Sequence, residues 1–313
     1  RMQVFTTTFT AVAMLLTIGI LGYWLLSRRV LAGPVIGSLS ALAINIALPC
    51  MTFSGIIANF RPEVNTGWWS LPLWWLGMTA LFAALTFICS AMSVKQTRRE
   101  FRVALLFQNG IFFPIAIISE IFGAASPMLV DLFLFMLFFP AFFFSFSPLF
   151  FSHGLKIDPL KVFNPVLIST LVAVLIRYAG FDSFLPKFLT EGVRMVGAMT
   201  VPLLMLVLGG NIYIDMKGSA RPAYLENLKF VLTKNIVFPV AALGAIMALR
   251  PPESVAFIIM IQASVPPITA APIIVEREGG DRNIVNQFMV SSFLFSLVSL
   301  PAMLAFFSAL YSR

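Results

Sequence analysis

Charge is what this sequence has least of. Asp, Glu, Lys and Arg make up 11% of its 313 residues, where soluble domains average about 25%. There is one histidine, His153, in a polar connecting segment, so a His-based metal cluster and a buried His dyad are both excluded. The two cysteines, Cys50 and Cys89, fall inside apolar stretches with no neighbouring base, and they read as buried free thiols. No glycine loop of the phosphate-cradling kind occurs, which argues against nucleotide-driven work within this chain. An enzyme is not expected, and no cofactor is implied beyond a coupling ion, H+ or Na+.

What is present is apolar. Hydrophobic residues make up 59% of the chain and mean hydropathy is +0.95. A spanning helix takes about 20 mostly apolar residues. Ten such windows lie near 4–27, 34–60, 67–93, 100–123, 127–152, 163–180, 185–213, 228–250, 254–276 and 283–311. The first is followed by Arg28 and Arg29 rather than by a small-residue cleavage site, so it reads as a span and not a signal peptide. The expectation is an all-α integral membrane protein of ten spans, with residues 1–313 forming one membrane domain.

The net charge of +8 is distributed by side. Alternating the loops across ten spans puts 14 basic residues on one face and 7 on the other. The richer face is cytoplasmic by the positive-inside rule, which leaves both ends of this chain outside. The basic excess thus sets orientation in a lipid bilayer and calls for no nucleic-acid partner. Lys234 and Arg177 read as span-end residues that snorkel to the interface. The phenylalanine-rich run 132–151 reads as lipid-facing packing.

The polar stretch HGLKIDPLK (153–161) divides the spans five and five. Five is odd, so homologous halves, 1–152 and 163–313, would insert in opposite orientations. They echo one another. ALPCMTFSG (47–55) and TVPLLMLVLG (200–209) each carry a deep proline and a later glycine. FQNGIFFPIAII (107–118) and IQASVPPITAAPII (261–274) each carry a glutamine and proline breaks, with Gln108 and Gln262 154 positions apart. A pair of interrupted helices in matching places marks an inverted-repeat carrier. Non-helical backbone survives at membrane depth only inside protein or beside a wet cavity. Half-helices resuming after each break would offer amide donors to an anion, and those ending before it carbonyls to a cation.

The binding candidates are therefore Gln108, Asn109, Gly110 and Pro114 at the first break, and Gln262, Ser264, Pro266, Pro267 and Thr269 at the second. Asn45 and Thr52 beside Pro49, and Thr200 before Pro202, could face a substrate from the opposite wall. Glu120 and Asp131 are coupling candidates: the short loop 123–126 could bring them together to share a proton, or they are interfacial carboxylates touching water. Glu191 and Arg194 read as a surface pair.

At these residues the chain resembles the auxin efflux carrier family. SVPPITAAPIIVEREGGD (264–281) is similar to the family's ninth-helix pattern, TVPLLMLVLGGNI (200–212) to its seventh and ALPCMTF (47–53) to its second. Two departures stand out: Ala270 occupies the place of an asparagine usual after the ninth-helix prolines, and Pro272 is an extra proline. The substrate is therefore not carried over. The resemblance implies a scaffold of spans 1, 2, 6 and 7, a moving body of spans 3–5 and 8–10, a homodimer, and elevator-type transport, here of a small organic anion. A receptor that keeps the carrier fold and a sodium- or proton-coupled antiporter are the alternatives. The antiporter reading lacks its usual aspartate, since none occurs at 105–118 or 260–274.

Overall fold

A computed structural model describes residues 2–63, 67–123, 126–151, 165–216 and 223–311. The dividing segment 153–161 with His153, Lys156 and Lys161 lies outside them, as do Lys217, Arg221 and part of the loop 123–126. Everything regular among the described residues is helical. Six stretches are long and apolar enough to cross a membrane: Val4–Ser27, Gly33–Asn59, Trp68–Met92, Lys187–Ile214, Tyr224–Leu249 and Arg282–Tyr311. Phe112–Phe122, Pro165–Tyr178 and Glu253–Ser264 are apolar helices too short for that alone.

In chain order the helices are α1 (Met2–Ser27), α2 (Gly33–Leu42), α3 (Leu48–Asn59), α4 (Leu71–Cys89), α5 (Arg98–Leu106), α6 (Phe112–Phe122), α7 (Pro127–Phe135) and α8 (Phe139–Phe146). They continue as α9 (Pro165–Tyr178), α10 (Lys187–Ala198), α11 (Thr200–Met216), α12 (Tyr224–Leu232), α13 (Phe238–Leu249), α14 (Glu253–Ser264), α15 (Ala271–Arg277) and α16 (Arg282–Tyr311).

Proline places many of the joints. It occupies the first or second position of α2, α4, α7 and α15, where its missing N–H is no loss. Between α2 and α3, and again between α12 and α13, the helix does not stop but widens into a π-turn, Ala43–Ala47 and Thr233–Val237. Both turns contain the start of the same pattern, Asn-Ile-x-x-Pro, at Asn45–Pro49 and Asn235–Pro239. A proline ring crowds the carbonyl four residues earlier, and the wider turn relieves that contact at each asparagine.

Glycine sets the closest helix contact. A Cβ on Gly209 of α11 would sit 1.7 Å from the Gly19 carbonyl oxygen of α1, and one on Gly22 would sit 2.2 Å from the Leu206 carbonyl oxygen. Backbones approach this closely in membranes through small residues. α11 packs on both α1 and α2, while α3 packs on α9 and α10. The helices α4–α7 and α12–α16 pack among themselves, and α6 and α16 rest against α1 and α11.

Two expectations are corrected here. Span five is not continuous: α7 ends at Phe135 and the chain turns before α8 starts at Phe139. Nor is its aromatic run mainly lipid-facing. Phe133, Phe135, Phe139 and Phe143 are buried, and Phe107 packs its ring against Phe142, Phe143 and Phe150. An apolar ring gains as much against protein as against lipid, so hydropathy alone does not tell the two apart. The cysteines are free and half-buried rather than buried.

Candidate functional site

The two proline breaks meet. α14 ends at Ser264 because Val265 precedes Pro266 and is driven to an extended conformation, φ −78° and ψ 151°. α5 ends where Phe107 turns extended, φ −101° and ψ 96°. The freed strands then pair antiparallel, Gln108 opposite Pro267. The Ile268 N–H donates to the Phe107 carbonyl at 2.9 Å, and the Asn109 N–H donates to the Pro266 carbonyl at 2.8 Å. Each break thus supplies the partners that the other lost, which is how unwound backbone is tolerated away from water.

Side chains close the junction. Gln262 is fully buried, and its Nε2 donates to the Gly110 carbonyl at 2.7 Å. Gln108 Nε2 reaches Gln262 Oε1 at a long 3.4 Å. Gly110 leaves room for this contact: a Cβ there would lie 2.5 Å from Gln262 Oε1 and 2.4 Å from Met136 Cε, so those side-chain ends would have to shift. Two polar atoms of the junction have no partner among the described residues, Gln108 Oε1 and Asn109 Nδ2. Buried orphans cost roughly 1–3 kcal/mol each, so a donor and an acceptor are held ready beside the start of α6.

The other predicted residues divide. Pro114 is buried in the first turn of α6, and Thr269 is half-buried in the turn before α15. Ser264 and Thr52 spend the hydroxyl donor on their own helices, bonding the carbonyls of Met260 and Leu48 at 2.8 and 2.9 Å, and Thr200 bonds the Gly197 carbonyl at the end of α10 at 2.7 Å. Asn45 is exposed on its π-turn. Glu120 is exposed, while Asp131 bonds Ser254 of α14, so the proton-sharing pair expected of them does not form in this conformation. Glu191 and Arg194 are an exposed ion pair.

Lys234 corrects the sequence reading most sharply. Arg177, one residue from the end of α9, donates from Nε to the Phe60 carbonyl at 2.7 Å and pairs with Asp182 of the following loop. Lys234 is 0% exposed, inside the span Tyr224–Leu249. Its Nζ has no hydrogen-bond partner among the described residues and lies 5.0 Å from the Phe238 ring centroid and 5.7 Å from that of Phe82. Beside it, Asn235 Oδ1 accepts from Ser292 Oγ at 2.7 Å, and Asn235 Nδ2 donates at 3.3 Å to the Ser292 carbonyl and to Ser299 Oγ. The signal for this cluster was legible: polar Thr233, Lys234 and Asn235 stand just before Pro239, the same polar-beside-proline pattern as the two breaks.

A protein-family model described as Membrane transport protein matches residues 7–145 and 150–304, nearly the whole chain. The chain belongs to the auxin efflux carrier family. No curated protein matches it. Members of this family are membrane transporters, not enzymes, and the chain is read accordingly as a multi-pass membrane transporter.

Proposed function

We propose that this auxin efflux carrier family member moves a small organic anion, a carboxylate, by elevator-type alternating access. The observation that carries the reading is the paired junction of the breaks, with Asn109 Nδ2 unpartnered and buried where α6 begins. An amide donor beside the free N–H groups of an eleven-residue helix makes a place for a carboxylate. Gln108, Asn109, Gly110, Pro114, Gln262, Pro266 and Pro267 would frame it, with Ser264 and Thr269 at its margin.

The architecture behind the proposal is ten spans in two inverted halves, with α5–α6 and α14–α15 as the crossed, broken fourth and ninth spans. Packing supports a moving body of α4–α8 and α12–α16 against a scaffold of α1–α3 and α9–α11, because contacts run mainly within each group. The proposal includes a homodimer in a plasma or bacterial inner membrane, both ends of the chain outside, and H+ or Na+ as a coupling ion if one is used. Ala270, where the family usually has asparagine, keeps one second reading in view, a receptor that binds without turnover.

The test is uptake of radiolabelled carboxylates into proteoliposomes, with tight binding measured in parallel. The carrier reading expects saturable flux that drops at least tenfold in N109A with folding retained. Binding without flux would favour the receptor; unchanged flux in both N109A and Q262A would remove the proposed site.

A further inference from the structure

Lys234 carries an inference beyond the junction, and it rests on the anion-carrier reading. Its depth follows from two independent placements. α13 and α14 pack as neighbours around a tight turn at Arg250–Pro252. Lys234 lies 16 residues before Arg250 and Ser264 lies 11 residues after Glu253. At about 1.5 Å per helical residue these are about 24 Å and 17 Å from the turn, and the extended residues 265–268 add about 3 Å each. Lys234 therefore sits at the level of the break. Its neighbour Asn235 bonds Ser292 and Ser299, which lie 10 residues from one end of α16 and 12 from the other. By both measures the lysine lies at the depth of the break, 10 and 15 residues from the ends of its own span.

Among the described residues no group answers its charge. The acidic and basic residues of the elements packed on its π-turn are engaged or remote. Glu226 and Lys229 of α12 pair with each other at 2.7 Å, Arg282 of α16 pairs with Glu276 at 2.6 Å, and Glu253 opens α14 at the far end of that helix. Tyr311 bonds the Pro251 carbonyl. From α4 the lysine meets the ring of Phe82, and from α13 that of Phe238. An ammonium among rings inside a span is costly to keep and serves folding poorly, since apolar replacements of buried charges are often neutral or stabilising. Intramembrane ionisable groups mark ligand paths for this reason.

We propose that Lys234 is the fixed positive charge that pairs with the carboxylate of the transported anion, and that it sets the preference for acids over their neutral analogues. The broken helices supply hydrogen bonds and the lysine supplies charge. The test uses purified full-length protein and dissociation constants for acetate, succinate and benzoate against acetamide, succinamide and benzamide. Melting temperatures are recorded without ligand. Wild type should prefer one acid over its amide at least tenfold. Lys234→Met should lose that preference while melting at the same temperature as wild type or higher, and Lys234→Arg should keep it. Acid preference retained in Lys234→Met overturns the proposal and leaves the carrier reading standing. A Lys234→Met protein that melts lower and binds neither acid nor amide, with Lys234→Arg equally impaired, shows a structural lysine and overturns it too. Wild type that binds acid and amide alike, or neither, defeats the anion reading itself.

Discussion

Replacing Gln262 with leucine tests whether the junction is held by the bond geometry described above. The substitution keeps the volume and removes both polar atoms. The Gly110 carbonyl loses the donor at 2.7 Å and is left buried without one, a loss of about 1–3 kcal/mol. Gln108→Leu removes only the 3.4 Å contact, near the outer limit of a hydrogen bond. It also deletes Gln108 Oε1, an acceptor that already has no partner, so its cost should stay below about 1 kcal/mol. The two glutamines therefore differ in effect although each stands beside a proline break. In the double variant the amide of Gln108 is no longer stranded, and the pair should be no worse than Q262L alone. Melting of detergent-purified protein at one heating rate ranks the four proteins, since unfolding of membrane proteins is rarely reversible. Equal destabilisation by Q108L and Q262L, or a Q262L protein that melts like wild type, would refute the assignment of the Gly110 bond as the clasp.

Gly209→Ala should fail to give monodisperse protein, because its Cβ would fall 1.7 Å from a backbone oxygen of α1 that cannot yield, while Gly77→Ala, with open space around it, should purify normally in the same size-exclusion assay. Asn235→Leu strands the Ser292 hydroxyl donor now held at 2.7 Å and should cost about 1–3 kcal/mol. Adding Ser292→Ala should recover part of that loss in the same melting assay, and no recovery would mean that the two side chains do not act as a pair.

Hydropathy and proline spacing made the class, the span windows and the breaks legible, because each depends on the chain's local chemistry. Proline acts on its own backbone, so Pro266 and Pro267 announced an interruption wherever the chain might fold. The family could be recognised on the same segments. The meeting of residues 107–109 with 266–268 could not be read, since backbone donors carry no label for a partner more than 150 positions away. Ser264, Thr52 and Thr200 were read as site residues from proximity to proline, yet a hydroxyl in a helix finds its own carbonyl four or three residues back before it finds a ligand.

Lys234 shows the division most clearly. From sequence alone a lysine six residues into a window looks like an end residue with a stem long enough to reach water. Only the start of α12 at Tyr224, upstream of that window, and the π-turn that directs Lys234 at Phe82 and Phe238, bury its ammonium well inside the span. The sequence by itself determined that this chain enters a membrane, roughly where its helices run and where they must break, because these follow from solvent preference and proline geometry. Which breaks join, which rings face inward and which charge is buried were decided by packing, because burial and hydrogen-bond partners belong to neighbours in space.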